Sequence, residues 1–411
     1  SILSLYLSAF HFFVVTLQLK NLIMTKEEKL NLLNRVFTPS APIKERDFFI
    51  GRKRQLEKVR DAINTIGQHV VLYGERGVGK TSLANIMSHI YTNLYPVKIT
   101  CERNATFQSL WSRVFSEIQY SQTVQGIGFN AEKRTELVDI AALYHNNTCG
   151  NEIANVIEVL KKLPLHKFLF IFDEFDRVNN EQVRILFAQL IKILSDNCSN
   201  VTIVLVGIGE NVCELLEEHL SVERCLKQVK MPKMHDDECL DIITSGLKKI
   251  ELNISTAVAN RIVNFSSGFP HYVHLICNLG AMELILNDKL DFTQEYLTIA
   301  IRKAIENSGE SLRLAYQKAV GSIEVSKKWG QIVNACATAL HDDNDAFSIK
   351  QIENAYKELR YEQVNIPYYI SRLCKEEHGI LLKKIGTGKN ARYKFVNPMM
   401  KVFIKLKMNQ R

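Results

Sequence analysis

The stretch HVVLYGERGVGKTS, His69 to Ser82, decides how this chain is read. An apolar run of β type leads into glycines at 74, 77 and 79, then Lys80 and Thr81, and a helical pattern follows at once. The spacing of glycines, lysine and threonine is cheap by itself; the strand before it and the helix after it give it meaning. Glycines let a loop turn through conformations closed to other residues and bring backbone N–H groups against an anion. The new helix adds its positive end. Gly74, Glu75, Arg76, Gly77, Val78, Gly79, Lys80, Thr81 and Ser82 are therefore expected to cradle the phosphates of a nucleotide. Lys80 would serve as a point charge on the β and γ phosphates, and the Thr81 hydroxyl is placed for Mg²⁺.

Such a cradle needs an acidic second half, and FLFIFDEFD (Phe168 to Asp176) supplies it. Five apolar residues make a buried strand, and Asp173 emerges at its carboxyl edge, where ligands sit in open α/β sheets. Asp173 is expected to hold the Mg²⁺ shell with Thr81, and Glu174 to orient and polarise an attacking water.

Further β-type runs occur at 97–101, 201–206 and 226–231, with amphipathic helical stretches between them. Apolar strands alternating with such helices predict a parallel sheet covered on both faces, an α/β class of P-loop type. After Pro232 the strands stop, and four helical stretches predict a helical lid. From about Ser322, three helices precede GILLKKIGTGKNARYKFVNP (Gly379 to Pro398), a basic β-turn-β, which together make a winged-helix pattern. The expected divisions are an N-terminal extension over 1–46, an ATPase domain over 47–233, a lid over 234–320 and a winged helix over 321–411.

With these motifs in order, the chain from Phe48 to Ser311 resembles the AAA+ ATPases. Within them it is similar to the origin-recognition and cell-division-cycle initiator ATPases and to the archaeal-type ATPases of the STAND signalling group. FIGRKRQL (Phe49 to Leu56) is similar to the element these families set against adenine, which implies nucleotide contacts at Phe49, Ile50, Gly51 and Arg52. The resemblance also implies a polar sensor after the fourth strand, at Glu210 or Asn211, and either an arginine finger or an ion-pairing role for Arg224. A lid arginine is missing. SSGFPHYVHL (Ser266 to Leu275) instead carries a Gly-x-Pro resembling the STAND signature, with Pro270 and His271 at the nucleotide. An ATPase without that arginine would bind ATP tightly and hydrolyse it slowly, as a switch. His271 and His274 share a helical face and are expected to pack there, not to hold a metal.

The formal charge of +8 is concentrated at one end. From Ile380 onward there are nine basic residues and no acid, and the rest balances at 43 basic against 44 acidic groups. That points to a polyanion at the C-terminal end. Duplex DNA is the expected partner, with phosphate contacts from Arg372, Lys383, Lys384, Lys389, Arg392 and Lys394. The competing expectation is a STAND-type signalling ATPase whose winged helix docks a partner protein, and self-association in the ATP state suits either. The nine cysteines are scattered singly, without a metal-binding pair, which suits a reducing cytoplasm. Ser1 to Leu19 is uncharged and approaches the length of a membrane span, but it lacks a basic flank and is diluted by polar residues. Met24 opens MTKEEKLNLLNRVF, which reads as a protein start, so 1–23 is expected to be an upstream extension and no anchor.

Overall fold

The computed structural model describes residues 24–409 apart from 91–92, 126–132, 147–150, 164–166, 198–199, 210–219, 308, 322–325, 343–344, 387, 389–390 and 398. The expectations for residues 1–23, for Glu210 and Asn211, and for Lys389 lie outside the described residues. The chain divides into two compact units. One is Ala41–Met234; the other combines the chain up to Ser40 with everything from His235.

The unit Ala41–Met234 is built on β1 (His69–Gly74), β2 (Leu94–Thr100), a hairpin of β3 (Gln119–Gln125) and β4 (Lys133–Asp139), β5 (Lys167–Asp173), β6 (Val201–Ile208) and β7 (Leu226–Met231). The main sheet has the order β2-β5-β6-β1-β7, and every pairing in it is parallel. Parallel neighbours require crossover connections, and the helices that supply them cover both faces, which is why the inner strands β1, β5 and β6 are almost wholly apolar and buried. One strand, β6, lies between β1 and β5. Register aligns Gly74 with both Ile208 and Met231, and Thr100 with Asp173, so the carboxyl ends of the strands form one edge.

An aromatic cluster fixes one face of this sheet. Trp111, on helix Phe107–Ser116, packs against Phe170 and Phe172 of β5 with ring centroids 5.5 and 5.6 Å apart. Phe187, on helix Glu181–Asn197, meets Phe172 edge-on at 4.8 Å and Phe175 at 5.0 Å. Truncating one such ring to alanine costs about 3–5 kcal/mol. The strand that carries Asp173 is thus anchored from behind. The hairpin β3/β4 and the helix Ile140–Asn146 that follows it have no counterpart in the sequence reading.

In the other unit, helices Asp236–Lys249, Thr256–Ser266, Pro270–Leu286 and Gln294–Glu306 match the expected helical run. Helix Lys26–Val36 begins with a capping box, Thr25 and Glu28 each bonding the other's backbone N–H, and delivers the following residues onto this layer. Phe37 is fully buried; a Cβ at Gly246 would collide with its ring, and Asn278 Nδ2 donates to its carbonyl at 3.0 Å. Helices Ser326–Thr338, Ile349–Glu358 and Ile366–Leu373 precede an antiparallel pair, Leu382–Ile385 with Arg392–Phe395. A helix over Met399–Met408 then buries Met400, Val402, Phe403, Ile404 and Leu406. Among the described residues no helix is long and apolar enough to cross a membrane.

Candidate active site

The loop after β1 takes its form from glycine. A Cβ at Gly74 would collide with the Met231 carbonyl oxygen at the end of β7, so only glycine lets the chain leave the sheet there. Gly77 and Gly79 follow with φ of 84° and 94°, the left-handed region that glycine enters without strain. Helix Lys80–Ile90 starts at once. The Lys80 ammonium lies inside the loop, donating to the Gly74 carbonyl at 3.0 Å and the Glu75 carbonyl at 2.7 Å. Burial pushes this lysine down to about 8, against the pull of the Asp176, Asp173 and Glu75 carboxylates. Arg76 is exposed, and Val78 is buried beneath the turn.

The acidic half meets this loop. Asp173 ends β5 and is 2% exposed; its Oδ1 lies 3.3 Å from Thr81 Oγ1, which donates to it, and accepts the Glu174 N–H at 3.0 Å. Two segments 92 residues apart in sequence therefore share one corner. A hydroxyl and a carboxylate so placed are the oxygen donors that Mg²⁺ favours, and the glycine-lined turn leaves N–H groups for phosphate, so the residues present fit MgATP. Glu174 has φ of 55° and pairs with Arg177 at 3.1 Å at the edge of the sheet. Asp176, which sequence reasoning did not single out, accepts the Ile208 N–H at 2.8 Å and ties the end of β6 to the acidic turn.

The FIGR element acts on the loop from outside. Arg52, 1% exposed with φ of 61°, donates from Nη2 to the Val78 carbonyl at 2.8 Å. Ser82 Oγ accepts the Ile43 N–H at 3.1 Å, so the segment before Phe49 is laced to the first turn of the phosphate-side helix. Phe49 is buried, and Ile50 and Gly51 are half-buried beside it. Arg52 and Ser82, expected at the nucleotide, thus spend these bonds on holding the loop.

Residues 49–204 match the model of the AAA ATPase domain family. Over this segment the chain is similar to AAA ATPase domains. Domains of this family bind nucleotide, usually with Mg²⁺. No curated protein matches the chain. Among solved structures it is similar to the Walker-type ATPase of Pyrococcus abyssi, with 15% identity, 90% of this chain and 99% of that one covered, and a TM-score of 0.49. It is also similar to Cdc6p from Pyrobaculum aerophilum, at 14% identity, 92% and 99% coverage and a TM-score of 0.48. The Aeropyrum pernix Orc1 protein in complex with DNA matches at 15% identity, 91% and 96% coverage and a TM-score of 0.45.

Beyond the AAA ATPase domain motifs the expected residues fare unevenly. Arg224 is exposed and forms an ion pair with Asp196 at 3.0 Å. Pro270 opens its helix as the first residue, and His271 Nδ1 donates to the Pro39 carbonyl at 2.9 Å, so these two are engaged within their own unit. His274 accepts the Thr38 N–H at 3.3 Å, and burial pushes it down to about 4, which keeps it neutral. Among the described residues no cluster could hold a metal through three or more His, Cys, Asp or Glu side chains.

At the basic end, Arg372 Nη1 pairs with Glu377 at 3.1 Å and its guanidinium lies over the Tyr368 ring at 5.1 Å. Arg392 pairs with Asp342. Lys394 is 6% exposed, a correction to its expected place among the phosphate contacts, although Lys383, its cross-strand neighbour, is exposed. Lys383 and Lys384 are exposed.

Two residues that no motif flagged complete the site. Lys98, on β2, approaches Asp173 Oδ2 at 3.0 Å, and Asn85, on the phosphate-side helix, accepts from the same ammonium at 2.6 Å. The available signal was a lysine in VKITC, a strand of a sheet covered on both faces, where a charge needs a partner.

Proposed function

We propose that this chain binds MgATP in the AAA ATPase domain, hydrolyses it slowly, and works as a nucleotide-dependent switch that engages duplex DNA through a C-terminal winged helix. The observation that carries the reading is the 3.3 Å approach of Thr81 Oγ1 to Asp173 Oδ1 beside the Lys80 loop. Lys80 and the loop N–H groups would bind the triphosphate, and Thr81 with Asp173 would hold Mg²⁺. The metal, when bound, supplies charge neutralisation on the phosphate oxygens. Glu174, at the turn that ends β5, is the group that would orient water and accept its proton. Arg177 holds the Glu174 carboxylate at the sheet edge, so this base must give up an ion pair to act, which suits slow turnover.

For the DNA-facing half, support comes from Lys383 and Lys384, exposed on the hairpin. A second reading, a winged helix that docks a partner protein, is favoured by exposed Tyr368, Ile380, Ile385 and Val396 around the same hairpin and by the carboxylates that already pair Arg372 and Arg392. Self-association in the ATP state is compatible with both.

Calorimetry with MgATP on the purified chain and on Lys80→Ala tests the first half. Uptake by the parent and a loss of about 100-fold or more in the variant are expected, since a buried charge on phosphate is removed. No uptake by the parent refutes it. Gel shift of duplex DNA with and without ATP across a salt series separates DNA from protein docking, because phosphate contacts make affinity fall steeply with salt.

A further inference from the structure

Asp173 is nearly inaccessible, yet its two oxygens have separate partners. Oδ1 takes the Thr81 hydroxyl and the Glu174 N–H, while Oδ2 takes the Lys98 ammonium at 3.0 Å. The lysine is built in. Its strand pairs with β5, placing Lys98 beside Ile171, two residues before Asp173. Its ammonium also donates to Asn85 Oδ1 at 2.6 Å, and Asn85 Nδ2 donates in turn to the Ile43 carbonyl at 3.3 Å. Helix, strand and N-terminal segment therefore hold one positive charge against the carboxylate expected to face the metal. The Lys98 side chain is only 22% exposed, so solvent and salt screen this pair weakly.

A divalent cation at this corner normally has two electrostatic tasks: to offset the triphosphate, and to offset the acidic residue that faces it. Here the second task is already performed by a side chain. We propose that Lys98 is a resident counter-charge for Asp173 that sets how strongly the site couples nucleotide binding to Mg²⁺. With Lys98 in place, a metal-free triphosphate meets little repulsion from Asp173, and Mg²⁺ meets a carboxylate whose charge is largely compensated. Lys98 is thus a positioning residue, acting through Asp173. The proposal rests on the nucleotide reading above.

The readout is a ratio: the dissociation constant of a fluorescent ATP derivative in EDTA divided by that in excess Mg²⁺. By linkage, the same ratio measures how far ATP strengthens Mg²⁺ binding. A purely structural lysine would change both constants together and leave the ratio alone. The parent ratio is expected below about tenfold, Lys98→Met should raise it at least about tenfold further, and Lys98→Arg should stay within about threefold of the parent. A Lys98→Met ratio equal to that of the parent overturns the proposal, as does Lys98→Arg moving as far as Lys98→Met. Should Lys98→Met fail to fold by circular dichroism, the parent decides alone, and a ratio above about tenfold overturns the role. Absence of binding in both buffers would remove the nucleotide reading and this role with it. Binding with an unchanged ratio removes only the role of Lys98.

Discussion

The phosphate-side loop and the C-terminal hairpin are both rich in charge, and they use it in opposite ways. At the loop, Lys80, Lys98, Asp173 and Asp176 converge from two strands, a helix and the turn after β5 onto one corner, each held by a bond to a named partner. Along the C-terminal end the charges disperse. Arg372 and Arg392 pair with Glu377 and Asp342, Lys401 lies 3.5 Å from Asp345, Lys405 donates to Ser267 Oγ at 3.1 Å, and Lys394 is buried. Among the described basic residues from Ile380 onward, only Lys383, Lys384 and Arg392 are exposed. Charge converging on buried partners builds chemistry, whereas a count of surface charge overstates what a polyanion would meet.

Four measurements would sharpen or break this contrast. The largest effect is expected from Glu174→Gln, which should lower phosphate release by roughly 100-fold or more while leaving MgATP affinity within about threefold. Unchanged single-turnover rates would deny the corner its chemistry. Gly74→Ala should follow, driving a methyl group into the Met231 carbonyl and destabilising the fold by about 2–3 kcal/mol, read as a lower denaturation midpoint.

Third is pH. Burial holds Lys80 down to about 8, and bound phosphates would raise it, so the complex takes up a proton above that value. Affinity for MgATP should therefore be flat below about pH 8 and fall by up to about tenfold per unit above it. The ligand-free fold should show the opposite trend. Its folded-state lysine is depressed and its unfolded one is not, so Lys80 lends stability as pH rises from about 8. Affinity that rises with pH would contradict the assignment.

Smallest is the hairpin effect: replacing Lys383 and Lys384 together by alanine should reduce the salt slope of DNA binding by about 2, while replacing Arg372 and Arg392 should shift it by less than about 1. The reverse order would mean that the ion pairs open on binding.

How much could be read in advance follows the same division. β1, β5 and β6 are apolar runs behind glycine or acidic turns, and their alternation with helices already dictates a parallel sheet. Their corner was legible because a phosphate loop is a backbone device specified by adjacent residues. The hairpin β3/β4 was missed because YSQTVQ and KRTELVD are polar along most of their length, so no apolar period marks them as strands. Helix Met399–Met408 was hidden among lysines that read as a basic tail, although MMKVFIKLKM carries apolar residues at six buried positions. Lys98 escaped because a lysine in a strand reads as solvent-facing until the register with β5 brings it beside Asp173. Arg52 resembled an adenine contact from its motif, and only its burial reveals the bond to Val78. Local grammar gives the loop; long-range pairing gives everything that tunes it.

One consequence concerns where the molecule can be cut. Because Phe37 seats against Gly246 and hands its carbonyl to Asn278, a chain shortened to begin at Ala41 would keep every residue of the ATPase domain and still injure the helices beyond His235. Emptying that seat forfeits about 3–5 kcal/mol, a large share of the margin by which such units stay folded. A truncation chosen from the motif map would then yield aggregation, and the blame would fall on the wrong half of the protein.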